Sequence, residues 1–179
     1  MADETRQKRR SRQVRTQAVV RLALRALTLG LVLAWMATIY AFSAEPADVS
    51  GELSGGISYK ICKNWSSIWN LEWDEEMVLE KAEVIDYPVR KAAHMTEYAI
   101  LAILVAACVA AWPIRGKRLY FIAILVTILY ACTDEFHQLF VPGRAGQLKD
   151  VLIDTIGGCF GMLAVLICVK IHIYRHSKI

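Results

Sequence analysis

Residues 119–140 read LYFIAILVTILYACTDEFHQLF, and this stretch decides the fold class. No charged side chain occurs from Leu119 to Thr133, and the acids Asp134 and Glu135 follow directly. About 20 helical residues are needed to cross the roughly 30 Å hydrocarbon core of a bilayer. The apolar run reaches that length only when its polar last turns are included. The sequence therefore predicts a transmembrane helix with ionisable residues at one end.

Apolar and charged residues are segregated along the whole chain, which is 56% hydrophobic yet carries 21 Lys and Arg and 17 Asp and Glu. Such segregation is typical of a membrane protein and needs no soluble core. We predict four spans, at 20–42, 92–113, 119–140 and 150–173. The expected fold class is all-α, a four-span transmembrane helical bundle with an extracytoplasmic helical segment between spans 1 and 2. The expected domains are a basic cytoplasmic tail (1–19), the transmembrane domain (20–174, with its outer segment 43–89) and a second cytoplasmic tail (175–179).

The first span could instead be a cleavable signal peptide, since small residues occur at Ala41 and Ser43. The basic region before it is about 25 residues long, and its apolar run of about 17 residues exceeds the usual core of a signal peptide. We therefore predict that the segment is retained as a membrane anchor.

Basic residues predict the orientation of the bundle, because cytoplasmic loops are enriched in Lys and Arg. They form three clusters that an even number of spans places on one side. The clusters are Arg6, Lys8, Arg9, Arg10, Arg12, Arg15, Arg21 and Arg25; Arg115, Lys117 and Arg118; and Lys170, Arg175 and Lys178. We expect a plasma-membrane protein with both termini cytoplasmic and 43–89 outside. The net charge of +4 then reflects topology and attraction to lipid head groups, and no nucleic-acid partner is expected.

The outer segment has two parts. Residues 45–51 and 54–56 contain Pro, Gly, Ser and Asp and are predicted to form turns and loops. After them, apolar residues at steps of three and four mark one helix face: Ile57, Ile61, Trp65, Ile68, Trp69 and Trp73. This stripe either lies in the head-group layer or packs over the bundle, and the sequence leaves both open. A break in the chain is expected at Tyr87-Pro88.

Ionisable residues at span ends are the candidates for function, because charge inside a membrane is costly. The topology brings the start of span two, the end of span three and the start of span four to one level. We predict one outward-facing pocket there. Its candidate residues are Lys91, His94, Glu97, Tyr98, Asp134, Glu135, His137, Gln138, Arg144, Asp150 and Asp154. The plainer alternative is that Asp150 only caps a helix and Lys91 only snorkels to the surface.

The fourth span also carries Gly157 and Gly161, one turn apart. Two small residues at this spacing let another helix approach closely. We therefore expect both glycines to face a neighbouring helix rather than lipid.

These residues resemble a known family, the VanZ-like membrane proteins. Three matches carry the resemblance, and together they cover about residues 30–165. They are Phe42-Ser43-Ala44-Glu45-Pro46 with Ser50 and Ser54; Arg90-Lys91-x-x-His94-x-x-x-Tyr98; and Asp134-Glu135-x-His137-Gln138-x-Phe140-Val141-Pro142-Gly143-Arg144 with Asp150-x-x-x-Asp154-x-x-Gly157.

The resemblance implies a cell-envelope protein of a Gram-positive bacterium and a link to antibiotic (teicoplanin) resistance. It supplies no reaction. One function is therefore a pocket that binds a lipid or envelope head group, with membrane lipids, a lipid-linked envelope precursor or a glycopeptide as partners. The alternative is an enzyme acting on a lipid-linked envelope substrate at the outer leaflet. It would use the carboxylates and a histidine as acid and base, or to hold a divalent cation such as Mg²⁺. A proton-coupled transporter is disfavoured, because the middles of the spans carry no ionisable relay.

Overall fold

The computed structural model describes residues 2–176, apart from the side chains of residues 2–5, 8, 9 and 11. Residues 177–179 of the predicted C-terminal tail, with Lys178, lie outside the described part. Within it the chain forms five helices and no strand. They are α1 (Ala2–Ser43), α2 (Ala47–Ile68), α3 (Glu75–Ala110), α4 (Lys117–Gln138) and α5 (Leu148–His176). The all-α prediction is confirmed.

Four of these helices are long and apolar enough to cross a membrane. They include Arg12–Ser43 of α1 and the whole of α3, α4 and α5. The chain is thus a multi-pass membrane protein with the four spans expected from its hydropathy. Helices α1 and α3 begin well before the predicted spans, since α1 already starts in the basic tail and α3 starts 17 residues before residue 92. Helices α3 and α4 end short of the predicted limits of 113 and 140, at Ala110 and Gln138.

Helix α3 is the centre of the bundle and contacts each of the other four helices. Its buried face carries Tyr98, Leu101 and Ala102, none of which has any exposed surface. Ala123 and Ala131 of α4 pack in the same core. Small residues on α4 let that helix approach the larger side chains of α3, and this fixes where the polar end of each helix lies.

Glycines set the contact between α3 and α5. A Cβ atom added at Gly157 would lie 2.3 Å from the carbonyl oxygen of Met95, and one at Gly161 would lie 2.3 Å from that of Ala99. Only a residue without a side chain allows the two backbones to touch in this way. The prediction that both glycines face a helix is confirmed.

The turn and loop predicted over 45–56 is wrong from Ala47 onward, where α2 begins. Its inner face is made of small residues four apart, Ser54, Ser58, Cys62 and Ser66, all buried. Packing against α3 stabilises this face, so tertiary contact outweighs the weak helix propensity of the glycines. The apolar stripe is correct for Ile57, Ile61, Trp65 and Ile68, which are exposed on the opposite face. Exposure argues against the stripe packing over the bundle, and its place in the head-group layer stays a prediction.

Trp73 does not belong to that stripe, because α2 ends at Ile68. It lies in the connection to α3 and packs against a small cluster that contains Cys62, Val78 and Ala82. The regular spacing in the sequence continues past the end of the helix and overstates its length.

The break expected at Tyr87-Pro88 is also wrong, because α3 continues through Pro88. Proline cannot donate the backbone hydrogen bond that a helix needs at this point. An ion pair between Asp86 and Arg90, with Oδ2 and Nη2 2.9 Å apart, joins the turns on either side. Ser58 of α2 donates a hydrogen bond of 3.4 Å to the same Asp86. Side-chain contacts therefore hold the helix together across the proline.

Candidate functional site

One end of the bundle gathers the C-terminal ends of α1 and α4, the middle of α3 and the N-terminal end of α5; we call it the site end. The loop 139–147 between α4 and α5 is tied to the α1–α2 junction there. The backbone N–H of Ala47 donates to the carbonyl of Pro142 at 3.3 Å. Arg144 donates to the carbonyl of Glu45 at 2.8 Å and to that of Phe42 at 3.0 Å. The α1–α2 junction, which carries the first family-like motif, is thus held against the loop after α4, which carries the third.

Lys91 and Asp150 form an ion pair between α3 and α5. The Lys91 Nζ lies 2.6 Å from the Asp150 Oδ1, and each side chain is 18% exposed. A pair this sheltered is costly to break from one side, because the remaining charge loses its partner. Asp150 is therefore more than a helix cap, and Lys91 does more than snorkel.

The acids at the end of α4 also have local partners. Glu135 accepts a hydrogen bond of 2.8 Å from the backbone N–H of Gln147, which fixes the start of α5 relative to α4. Gln138 donates to Asp134 at 3.3 Å, one turn away on the same helix. These contacts hold the carboxylates of α4 in defined positions at the site end.

Two neighbouring cavities open at this end. The first has a volume of about 190 Å³, and the predicted residues among its walls are Lys91, His94, Gln138, Arg144 and Asp150. The second has a volume of about 170 Å³ and is lined by His94, Glu97 and Arg144 among others. A water molecule occupies about 30 Å³ in the liquid, so each cavity is several times larger than one water.

Three of the polar side chains buried at the site end have atoms without partners among the described residues and lie on α3, α4 and α5. Tyr98 is 0%, Asp154 1% and Asp134 3% exposed. Within the described part of the chain, the Tyr98 hydroxyl, one oxygen of Asp134 and both oxygens of Asp154 have no hydrogen-bond partner. Buried polar atoms without partners are rare, because each costs free energy. They give the interior beneath the site end a strongly polar character.

The two histidines differ in position. His94 lines both cavities and its Nδ1 lies 3.8 Å from a Glu97 oxygen. The His137 ring packs against Tyr40 of α1, with ring centres 4.5 Å apart. His137 is absent from the walls of both cavities, and Glu135 instead lines a separate depression beside Phe136. The structure brings His94 into the open part of the site and leaves His137 at its side.

Arg144 is the best placed of the basic residues to meet a ligand. Its hydrogen bonds go to backbone carbonyls, and no carboxylate of the described residues lies within ion-pair distance of it. Burial lowers the pKa of the Arg144 guanidinium from its ordinary value, yet arginine stays charged in proteins. A positive charge with no acid of the described chain in direct contact thus lines both cavities, while Asp134, Glu45 and Glu135 lie near enough to oppose the lowering of its pKa.

A metal site has no support in the geometry. Among residues 2–176, no group of three or more His, Cys, Asp and Glu side chains is placed to hold a metal ion. The carboxylates of the cluster are spread over α3, α4 and α5, and Lys91 already occupies one of them.

Two parts of the site are missing from the predicted residues. Arg90 and Ser50 line both cavities. Both occur in the family-like motifs, and the four-residue spacing of Asp86 and Arg90 was a further signal for a paired arginine. The backbone carbonyls of Phe42 and Glu45 that hold Arg144 have no sequence signal at all.

Comparison with known proteins gives one result. A family model described as VanZ/LLP1 matches residues 28–169, which is most of the chain and includes every residue of the site end named above. No curated protein and no solved structure matches the chain.

Proposed function

The chain belongs to the VanZ/LLP1 family, and we propose that it binds the anionic head group of an envelope lipid in the cavities at the site end. The single observation that carries this proposal is that Arg144, in the shared wall of two cavities, has no ion-paired acid among the described residues. A planar guanidinium binds carboxylate and phosphate oxygens through two parallel hydrogen bonds, which an ammonium cannot match.

The other basic residues of the cavities strengthen the proposal. Lys91 is neutralised by Asp150, and Arg90 by Asp86. Both pairs keep donors free at the cavity walls, because an ammonium has three N–H groups and a guanidinium five. The first cavity is lined by Arg90, Lys91 and Arg144 against the single acid Asp150. With Arg90 paired to Asp86 and Lys91 to Asp150, Arg144 supplies the one unpaired charge that the described residues give this wall, and it favours an anion over a cation or a neutral sugar.

We propose further that the site end faces the outside of the plasma membrane. The three basic clusters lie at the opposite end of the spans or beyond it, as expected for the cytoplasmic side. With that orientation the cavities meet the head groups of the outer leaflet. The ligand is then a membrane lipid or a lipid-linked envelope precursor of a Gram-positive bacterium. Its sequestration by the protein would change the response to teicoplanin.

Binding can be tested with the purified full-length protein in detergent. Phosphatidylglycerol should raise the temperature of unfolding in a dose-dependent manner, and zwitterionic phosphatidylcholine should do so much less. We expect Arg144→Gln to weaken phosphatidylglycerol binding about tenfold, the equivalent of one charge-assisted hydrogen bond. Arg144→Lys should retain only part of the phosphatidylglycerol binding, because an ammonium cannot form the two parallel hydrogen bonds of a guanidinium.

Arg115 supplies the matched control, since it also donates only to backbone carbonyls but lies at the other end of the bundle. Arg115→Gln should leave lipid binding unchanged. Equal binding by the Arg144→Gln protein and the unsubstituted protein would contradict the proposal.

The orientation needs a separate test. Cys62 is buried, so it is a poor target for a labelling reagent. Asn70 lies in the exposed connection between α2 and α3, and Asn70→Cys should react with a membrane-impermeant maleimide in intact cells. Reaction only after permeabilisation would place this segment, and the site end with it, in the cytoplasm.

A second candidate function is acid–base turnover of the bound lipid. The position of His94 favours it, because this residue lines both cavities and has the Glu97 carboxylate beside it. A histidine next to a carboxylate is a common general base. Mass spectrometry of phosphatidylglycerol after incubation with the protein should then show a product that His94→Ala abolishes while binding persists. An unaltered lipid after prolonged incubation leaves binding as the function.

A further inference from the structure

The two cavities at the site end form one continuous binding surface. Ser50, Arg90, His94 and Arg144 line both of them, so the cavities meet at the two arginines. A ligand with an anionic group at this junction therefore has two directions in which the rest of it can extend.

The remaining walls of the two cavities differ in chemistry. The first cavity continues among polar side chains, which are Lys91, Gln138, Gln147 and Asp150. The second continues among apolar side chains, which are Phe42, Leu53, Ile57, Val89 and Ala93. One direction thus suits a hydrated group, and the other suits hydrocarbon.

The apolar cavity opens at exposed apolar surface of α1 and α2. Phe42, Leu53 and Ile57 each keep about half or more of their surface exposed, and Leu31, about three turns before Phe42 on the same face of α1, is also exposed. A hydrocarbon chain that leaves this cavity therefore meets further apolar surface. The charged side chains of the cavity wall are Arg90 and Arg144 at the junction and the two acids Glu45 and Glu97.

We infer that the ligand is a whole lipid, with its phosphate at the junction of Arg90 and Arg144, its polar substituent in the first cavity and the first carbons of its chain in the second. This inference rests on the proposed function and adds to it the place of each part of the lipid and a contribution of its chain to binding. A water-soluble phosphate ester shares the head-group chemistry but leaves the apolar cavity empty, so it binds more weakly.

The experiment compares two ligands and three variants in the full-length protein in detergent. The ligands are phosphatidylglycerol and its deacylated form, glycerophosphoglycerol, which carry the same phosphodiester with and without chains. Ile57→Asn changes the apolar cavity, and Ile68→Asn is its matched control, the same substitution at an exposed position of α2 outside both cavities. Ala93→Phe is a second variant, which fills the apolar cavity without introducing polarity.

We expect phosphatidylglycerol to bind at least tenfold more tightly than glycerophosphoglycerol, since each methylene removed from water raises affinity about fourfold. Ile57→Asn and Ala93→Phe should each weaken phosphatidylglycerol binding several-fold and leave glycerophosphoglycerol binding unchanged. Ile68→Asn should change neither.

Two results would overturn the inference while leaving the proposed function intact. One is equal affinity for the two ligands; the other is phosphatidylglycerol binding that Arg144→Gln weakens but neither apolar-cavity variant affects. Phosphatidylglycerol binding that Arg144→Gln does not weaken contradicts the proposed function itself. The two failures are thus distinguishable.

Discussion

The two ends of the bundle use charged residues in different ways. At the site end, Lys91 pairs with Asp150 across two helices, and Arg144 reaches the carbonyls of a third. At the opposite end, Arg115 donates three hydrogen bonds, all to carbonyls within five residues of itself in the chain. Lys91 and Arg144 at the site end thus join separate helices, whereas Arg115 bonds only to residues close to it in the chain.

This difference separates two roles of charge in a membrane protein. Exposed basic residues at helix ends set the orientation and need no defined partner. Sheltered charges need partners, because burial without one costs several kcal/mol. The site end therefore depends on precise packing of the helices, and the opposite end, where the exposed basic residues lie, does not. Substitutions at the two ends should test that contrast over a wide range of effects.

The largest effect is expected where α3 and α5 touch beneath the site end. Gly161→Leu places side-chain atoms against the backbone of Ala99, which cannot move aside. Overpacking of this kind costs about 3 kcal/mol or more. Thermal unfolding in detergent should show a fall of about 10 °C, and lipid binding should weaken as the helices separate.

Gly30 is the control, because a Cβ atom there meets nothing within 4 Å. Gly30→Leu should leave the unfolding temperature unchanged or raise it slightly, since leucine favours helix more than glycine does. Similar losses in both variants would show that the α3–α5 contact has no special role.

Breaking the ion pair of the site end should have the next largest effect. Lys91→Met leaves the Asp150 carboxylate without its partner in a site that is 18% exposed. We expect a loss of about 2 kcal/mol, below the range for fully buried pairs because some solvent reaches it. Thermal unfolding of Lys91→Met, Asp150→Leu and the double variant should give a coupling energy above about 1 kcal/mol. Additive losses would mean that the two side chains act independently.

A smaller loss is expected at the opposite end, for the one basic residue there with a partner on another helix. Arg25 donates to the carbonyl of Ala111 at 3.2 Å, and its guanidinium carbon lies 4.1 Å from the centre of a Trp112 ring. Arg25→Met should cost about 0.5–1 kcal/mol, the usual range for an exposed cation–π contact. A loss as large as that of Lys91→Met would remove the contrast between the two ends.

The smallest effect is expected for an exposed lysine of α5. Lys170→Gln should change the free energy of unfolding by less than about 0.5 kcal/mol, as for most surface substitutions. The measurement is again thermal unfolding in detergent. A clear destabilisation would indicate that the basic end contains packing that its exposed side chains do not reveal.

The sequence predicted the parts of the fold that depend on hydrophobicity and helical spacing. The four spans follow from apolar runs, and the contact at Gly157 and Gly161 follows from their spacing. Lys91 could be predicted to lie near an acid of another span, because the second and fourth spans both begin on the same side of the membrane. These features are local or follow from the order of the spans.

The features that the sequence did not predict depend on tertiary contacts. Helix α2 contains Gly51, Gly55 and Gly56, which indicate a loop until the packing of its serine face on α3 is known. The helix through Pro88 is held by Asp86 and Arg90, whose side chains bond across it. The carbonyls that bind Arg144 carry no side-chain signature, so no pattern could have indicated them.

The position of Arg144 has a consequence for the biosynthesis of the protein. Its two carbonyl acceptors precede it by 102 and 99 residues, so the ribosome makes them long before the arginine itself. Asp150, the partner of Lys91, comes later still, with α5. A nascent chain that stops after α4 inserts three spans but leaves Lys91 without its counter-ion. The site is therefore completed only after α5 has been made, and chains truncated before it lack the Lys91–Asp150 pair even though they carry most of the motif residues.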